Sequence, residues 1–171
     1  METKKAIQFI ILFAISYIIL NGLYQYILWI YAPQPDVLTV YTSAIFCNIF
    51  NQFTPTPLLT DAAILISHNQ KKLVRIAEGC NGMAVITTFL SFAIAFKSNF
   101  KNYLFFIPLA VLSILIINIL RLYLLIEIKL VYNNYFDIFH TYIFPAIIYF
   151  ITFLLMVLWV KFINRKTGNE S

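Results

Sequence analysis

The chain has 171 residues, of which 61% are apolar and only 11% are charged. Soluble domains average about 25% charged residues, and one of this size could not cover so much apolar surface, so the composition indicates an integral membrane protein. The net charge of +5 is not gathered into a basic stripe with interleaved aromatic residues, which argues against nucleic acid as a partner.

Four apolar segments have the composition of transmembrane helices: residues 6–30, 81–96, 102–126 and 141–160. The first follows two lysines, as the core of a signal peptide would, but its run of about 25 residues exceeds such a core. It is therefore predicted to be an uncleaved membrane helix. The predicted fold class is an all-α integral membrane protein, a single domain over 1–171 with about four transmembrane helices surrounded by membrane lipid.

The segment between the first and second spans is predicted to form an extracytoplasmic loop with structure of its own. A short interfacial helix is predicted at 43–53. Two β-prone runs, 62–66 and 73–77, flank the polar segment 67–72 and predict a β-hairpin. This hairpin would lead the chain directly into Cys80.

The distribution of charge predicts the orientation in the membrane. With both termini in the cytoplasm, the inner segments carry a net charge of +5 and the outer segments a net charge of zero. An excess of Lys and Arg is typical of cytoplasmic segments. The sequence therefore predicts a multi-pass protein of the cytoplasmic (inner) membrane, with its amino terminus and its polar tail, 161–171, inside.

Three polar residues are predicted to lie at the outer ends of three different spans. Cys80, Arg121 and His140 stand 17, 20 and 21 residues from the inner lysines that bound their spans. At the rise of an α-helix these separations are roughly 26, 30 and 32 Å. The three side chains are therefore expected within about one helical turn of the same depth.

A thiol, a fixed cation and an imidazole at one depth are the parts of a nucleophilic acyl-transfer site. Cys80 is expected at a helix start, where free N–H groups favour a thiolate. Arg121 would stabilise an oxyanion, and His140 would carry the proton. Gly79 and Gly82 would let a substrate backbone approach closely.

Other residues near these three have two interpretations each. Asp137 would orient the His140 ring or cap the last helix. Asn118 would support the site or only form an interhelical hydrogen bond. A disulfide between Cys47 and Cys80 would remove the nucleophile.

There is no Cys-x-x-Cys and no Cys/His spacing typical of zinc, so no metal and no cofactor is predicted.

The Cys80-Asn81-Gly82 cluster, Asn118-x-x-Arg121 and then His140 resemble the exosortase/archaeosortase family, in a match over residues 59–160. The single amino-terminal span makes the chain similar to a short type, the type F exosortases of Bacteroidetes. The resemblance implies a membrane cysteine transpeptidase in which Cys80, Arg121 and His140 are catalytic.

The resemblance also implies the partners. Substrates would be secreted proteins whose carboxyl terminus holds a short sorting motif, a transmembrane helix and a basic tail. Cleavage would occur at the outer face of the membrane, and an unidentified acceptor nucleophile would resolve the acyl-enzyme. Two other functions remain open at this point: a membrane hydrolase that releases its product to water, and a non-enzymatic transport or assembly subunit.

Overall fold

The computed structural model describes the backbone of residues 2–58 and 61–168, and the side chains of 3–58 and 61–164. Its larger elements, in chain order, are α1 (Glu2–Tyr31), α2 (Val37–Ile49), β1 (Thr54–Leu58), β2 (Ala63–His68), β3 (Lys71–Ile76), α3 (Met83–Ala95), α4 (Phe100–Val131), α5 (Phe136–Ile138) and α6 (Phe144–Gly168). A 3-10 turn, Glu78–Cys80, precedes α3, and a π-helical turn, Phe139–Ile143, joins α5 to α6. The predicted polar tail is therefore helical up to Gly168, and its last three residues lie outside the described part.

Three helical segments are long and apolar enough to cross a membrane: Thr3–Tyr31, Phe100–Val131 and Asn133–Asn164. They contain three of the four predicted spans, and the all-α membrane class is confirmed. The fourth predicted span, 81–96, was too long, because α3 has only 13 residues. At about 1.5 Å per residue α3 is about 20 Å long, shorter than a hydrocarbon core of about 30 Å.

The short helix α3 lies inside the bundle, in contact with α1, α4 and α6. Phe89 and Ala93 of α3 are fully buried, as is Trp159 of α6. The outward side chains of α1, including Ile18 and Trp29, are exposed, as expected for surface that faces lipid. Three of the polar and small residues on α3, Thr87, Ser91 and Ala93, thus have protein around them and not hydrocarbon.

The predicted β-hairpin is present as β2 and β3, with a turn at Asn69 and Gln70, which both have positive φ. A third strand, β1, pairs antiparallel with β2 and was not predicted. Its Thr54-Pro55-Thr56-Pro57 sequence contains two prolines, which are not tolerated in the centre of a sheet. Proline is tolerated on an edge strand, and β1 is such an edge.

Two helices differ in extent from the prediction. Helix α2 begins at Val37 and not at residue 43, because the Asp36 carboxylate caps it by accepting hydrogen bonds from the backbone N–H groups of Leu38 and Thr39. Helix α4 continues to Val131, five residues beyond the predicted end at 126. Its outer part packs against β3.

Two hydrophobic cores result. The inner core joins α3, α4 and α6 around Phe89, Phe106 and Trp159. The outer core joins α2, the sheet and the outer part of α4; it contains Phe46, Ile66, Leu122 and Cys80. Cys80 therefore belongs to the outer core, next to the start of α3.

Candidate active site

Cys80 ends the 3-10 turn that connects the sheet to α3. Its backbone N–H donates to the Ala77 carbonyl at 2.8 Å, and Gly82 then turns the chain with φ of +83°. The first α-helical residue is Met83, so Cys80 does not lie in the first turn of a helix as predicted. The expected contribution of a helix dipole to the thiolate is therefore weaker than the sequence suggested.

His140 is brought to Cys80 from a position 60 residues later in the chain. Its Nε2 lies 3.9 Å from the Cys80 Sγ, within the range of a long hydrogen bond to sulfur. His140 lies in the π-helical turn Phe139–Ile143, a local widening of the helix that often occurs at functional sites. The two residues form a thiol–imidazole pair.

Arg121 reaches the same region from the second half of α4, ten residues before that helix ends. Its Nε is buried, and no described residue forms a hydrogen bond or ion pair with it. Its charge acts on the His140 ring, as does that of Asp137. Arg121 thus provides an unpaired cation near the thiol–imidazole pair.

Asn118 lies one turn before Arg121 on α4 and is 1% exposed. Its Nδ2 donates to the Cys80 carbonyl oxygen at 2.8 Å. A Cβ added at Gly82 would meet the Asn118 side chain at 3.5 Å. The Asn118 amide therefore fixes the turn that carries Cys80, which is more than a generic contact between helices.

Asp137 is exposed and forms no described hydrogen bond with His140. The ring of Phe136 stacks on the imidazole of His140: the two rings are nearly parallel, at 9°, with centroids 5.6 Å apart. The Lys129 ammonium lies 4.6 Å from the Phe136 centroid. Phe136 and His140 are four residues apart, and this spacing on one helix face was the signal in the sequence.

The family model described as Transmembrane exosortase (Exosortase_EpsH) matches residues 2–159. The chain belongs to the transmembrane exosortase family. The match confirms the family predicted from the residue motifs and extends it through α1. No curated protein and no solved structure matches this exosortase. Family membership and the long apolar helices together make it a multi-pass membrane protein with a general function of the exosortase type, acting on secreted substrates that carry sorting signals.

A buried polar network supports the turn of this exosortase that carries Cys80. Asn81 is fully buried, and its Nδ2 donates to the Tyr24 hydroxyl at 2.5 Å and to the Thr39 Oγ1 at 3.2 Å. Its Oδ1 accepts from the Met83 N–H at 3.0 Å. Thr39 in turn donates to the Asp36 carboxylate. The network connects α1 and α2 to Asn81, the residue after Cys80. The only signal for it in the sequence was the Asn81-Gly82 pair, which is typical of a turn.

The exosortase has two thiols, Cys47 and Cys80, and both are free. Cys47 is buried on α2, and burial raises the pKa of its thiol. A raised pKa keeps Cys47 protonated, hence poorly reactive, at neutral pH. Over the residues that the structure describes, no group of three His, Cys, Asp or Glu side chains is placed to hold a metal ion.

Proposed function

We propose that this exosortase is a membrane cysteine transpeptidase that cleaves the carboxyl-terminal sorting signal of secreted proteins and transfers them to an acceptor. The observation that carries the proposal is the 3.9 Å separation of the Cys80 Sγ and the His140 Nε2. A thiol and a base within reach of each other are the minimum for nucleophilic catalysis by cysteine.

In the acylation step, the His140 Nε2 takes the Cys80 thiol proton, and the sulfur attacks the carbonyl carbon of the scissile peptide. The electron pair of the C=O bond moves to oxygen. When this oxyanion collapses, the C–N bond breaks, and the imidazolium gives its proton to the leaving amine. A thioester on Cys80 remains, and the transmembrane helix and basic tail of the substrate depart.

In the deacylation step, the acceptor nucleophile gives its proton to His140 and attacks the thioester carbon. The sulfur leaves as the thiolate and recovers a proton from the imidazolium. The product carries the acceptor on its new carboxyl end. Water in place of the acceptor would make the same site a hydrolase.

Arg121 is the oxyanion-stabilising group in this proposal. Its guanidinium has no described protein partner, so its N–H groups are available to a substrate oxygen. Stabilisation of charge that develops in the transition state is worth most where water is excluded. The Nε of Arg121 is shielded from water, which fits that requirement.

The proposal places the site at the outer face of the cytoplasmic membrane, with both termini inside. Cys80 belongs to the outer core formed with α2 and the sheet, which would stand on the extracytoplasmic side of the bundle. A substrate helix would approach through lipid and present its scissile peptide below this cap.

The test is co-expression with a secreted protein that ends in a motif, a transmembrane helix and a basic tail. The wild-type exosortase should release the tail, the Cys80→Ala variant should not, and the control variant Cys47→Ala should process normally. Processing by Cys80→Ala would refute the mechanism and favour a non-enzymatic subunit. The mass of the product separates transpeptidase from hydrolase, because only the former adds an acceptor.

A further inference from the structure

A small cavity of about 120 Å³ lies beside the nucleophile turn. Its walls come from the turn itself, from α3, from α4 and from the start of α6; they include Gly79, Gly82, Asn118, Arg121 and Tyr149. A water molecule needs about 10–15 Å³ of such space, so the cavity can hold several waters. That is room for a peptide unit with a small side chain.

Two residues of the cavity wall have a polar atom with no partner. The Asn118 Oδ1 and the Arg121 Nε are both buried and accept or donate no hydrogen bond within the described residues. Leaving a buried polar group unpaired costs about 1–3 kcal/mol. Such groups in a cavity wall indicate a site that a bound molecule completes.

The orientation of the Asn118 amide is fixed by its neighbour. The Cys80 carbonyl is an acceptor, so the amide end that faces it at 2.8 Å must be the Nδ2. The oxygen is then the end without a partner. The two lining residues therefore hold one neutral acceptor without a described partner, the Asn118 Oδ1, and one charged donor without a described partner, the Arg121 Nε–H.

We infer that this cavity is the subsite for the peptide unit on the acyl side of the scissile bond. The substrate N–H donates to the Asn118 Oδ1, and the carbonyl of the same unit accepts from the Arg121 Nε–H. Other N–H groups of the guanidinium remain for the scissile carbonyl oxygen. The inference rests on the proposed function and adds to it a preference for an uncharged amide that bears a small side chain.

An amide satisfies this pair better than a carboxylate does. A carboxylate would bind the guanidinium, but its second oxygen would face the Asn118 Oδ1, and two acceptors repel. An ester also lacks the N–H and leaves Oδ1 unpaired. The chemical distinction between amide and ester thus isolates the role of Asn118.

The experiment uses two small electrophiles that differ only in this group. The full-length protein with Cys47→Ala is alkylated by iodoacetamide or by methyl iodoacetate, and mass spectrometry follows the Cys80 adduct. For Cys80, the rate with iodoacetamide is divided by the rate with methyl iodoacetate, and the result is divided by the same ratio for glutathione. We expect this normalised ratio to be about 3 to 10, because the amide reagent gains one hydrogen bond that the ester reagent lacks.

The variant Asn118→Leu should lower this normalised ratio to about 1, since no acceptor remains. The matched control is Asn102→Leu, which removes a buried asparagine at the far end of the same helix and should keep the ratio. Unfolded protein would also move the normalised ratio toward 1, because an exposed thiol reacts as glutathione does. The ratio is therefore compared only between samples that keep the circular dichroism spectrum of the wild type.

A second variant leaves Asn118 and its bond to Cys80 in place. Gly79 lines the cavity and has no atom within 4 Å of an added Cβ, so Gly79→Val should fold and fill the space. The ratio should fall to about 1, whereas Gly22→Val, on α1 with equally open surroundings, should not change it.

The outcomes separate the two hypotheses. A normalised ratio near 1 in the wild type, or a ratio that survives both Asn118→Leu and Gly79→Val, would overturn the subsite. Absolute alkylation of Cys80 no faster than that of glutathione would contradict an activated nucleophile, and so the proposed function, whatever the ratio.

Discussion

The guanidinium of Arg121 is a cation near the thiol–imidazole pair. It lies in the second half of α4 with its Nε shielded from water and without a described hydrogen bond or ion pair. A cation in such surroundings is costly unless an anion arrives during function. An oxyanion on the scissile carbonyl is such an anion, present only in the transition state.

The variant Arg121→Lys should therefore lose about 10²- to 10³-fold in processing rate, because a point charge does not replace the planar fork of donors. Pulse–chase measurement of substrate cleavage gives this rate. The matched control is Arg75→Lys, since Arg75 is an exposed arginine whose side chain forms an ion pair with Asp61. Near-normal cleavage by Arg121→Lys would mean that Arg121 only anchors the helix.

Counting residues along three spans was enough to predict that Cys80 and His140 would approach each other, because helical rise is nearly constant. It could not predict Phe136, Asn81 or the Asn118 bond to Cys80, since these depend on rotation about each helix axis and on where a turn ends. Asp137 was predicted to orient His140 or to cap the last helix, and the sequence analysis gave Phe136 no role. The catalytic roles themselves stay predictions.

At the scale of elements, the π-helical turn Phe139–Ile143 determines where His140 points. A π-helical turn contains one residue more than an α-helical turn. Side chains on either side of it therefore point in different directions than they would on an unbroken α-helix. The parallel stack of Phe136 on His140 then limits rotation of the imidazole, and the Lys129 ammonium also contacts the Phe136 ring.

The variant Phe136→Leu should reduce cleavage by about 3- to 10-fold, in line with the loss of one aromatic contact of about 0.5–1.5 kcal/mol. The loss should appear in kcat and not in KM, because Phe136 acts on His140 and not on substrate. Phe139→Leu is the control, as that ring contacts Phe144 instead. Equal effects from both variants would show a role in folding alone.

Elements with a strong local signal were predictable, and those set by long-range pairing were not. The β2–β3 hairpin follows from β-prone runs around a polar turn, and α1 from its long apolar run. Strand β1 exists only because β2 offers it an edge, although its two prolines disfavour regular structure. Helix α3 is short because the residues before it form the 3-10 turn and the Gly82 turn, and so they are not part of the helix.

At the scale of the whole molecule, the site lies at the junction of two cores. The inner core fills the membrane bundle, and the outer core joins α2 and the sheet to the outer part of α4. The cap formed by α2 and the sheet explains how α4 can continue for ten residues beyond Arg121. It also buries Cys80 next to the start of the short helix α3.

The proposed orientation predicts which exposed positions face outward. In a Cys47→Ala, Cys80→Ala background, a membrane-impermeant maleimide on spheroplasts should label Lys71→Cys in β3. It should label Lys97→Cys, exposed between α3 and α4, only after lysis. The positive-inside excess of lysine is the physical reason. The opposite pattern would place the cap and Cys80 in the cytoplasm.

The most direct measurement of the central claim is the mass of the Cys80 peptide after rapid acid quenching of the exosortase with a cleaved substrate. The account predicts an adduct equal to the amino-terminal portion of the substrate, joined to Cys80 through a thioester that hydroxylamine removes, and more abundant when the acceptor is depleted. Cleaved substrate without any such adduct, together with continued cleavage by Cys80→Ala, would contradict it.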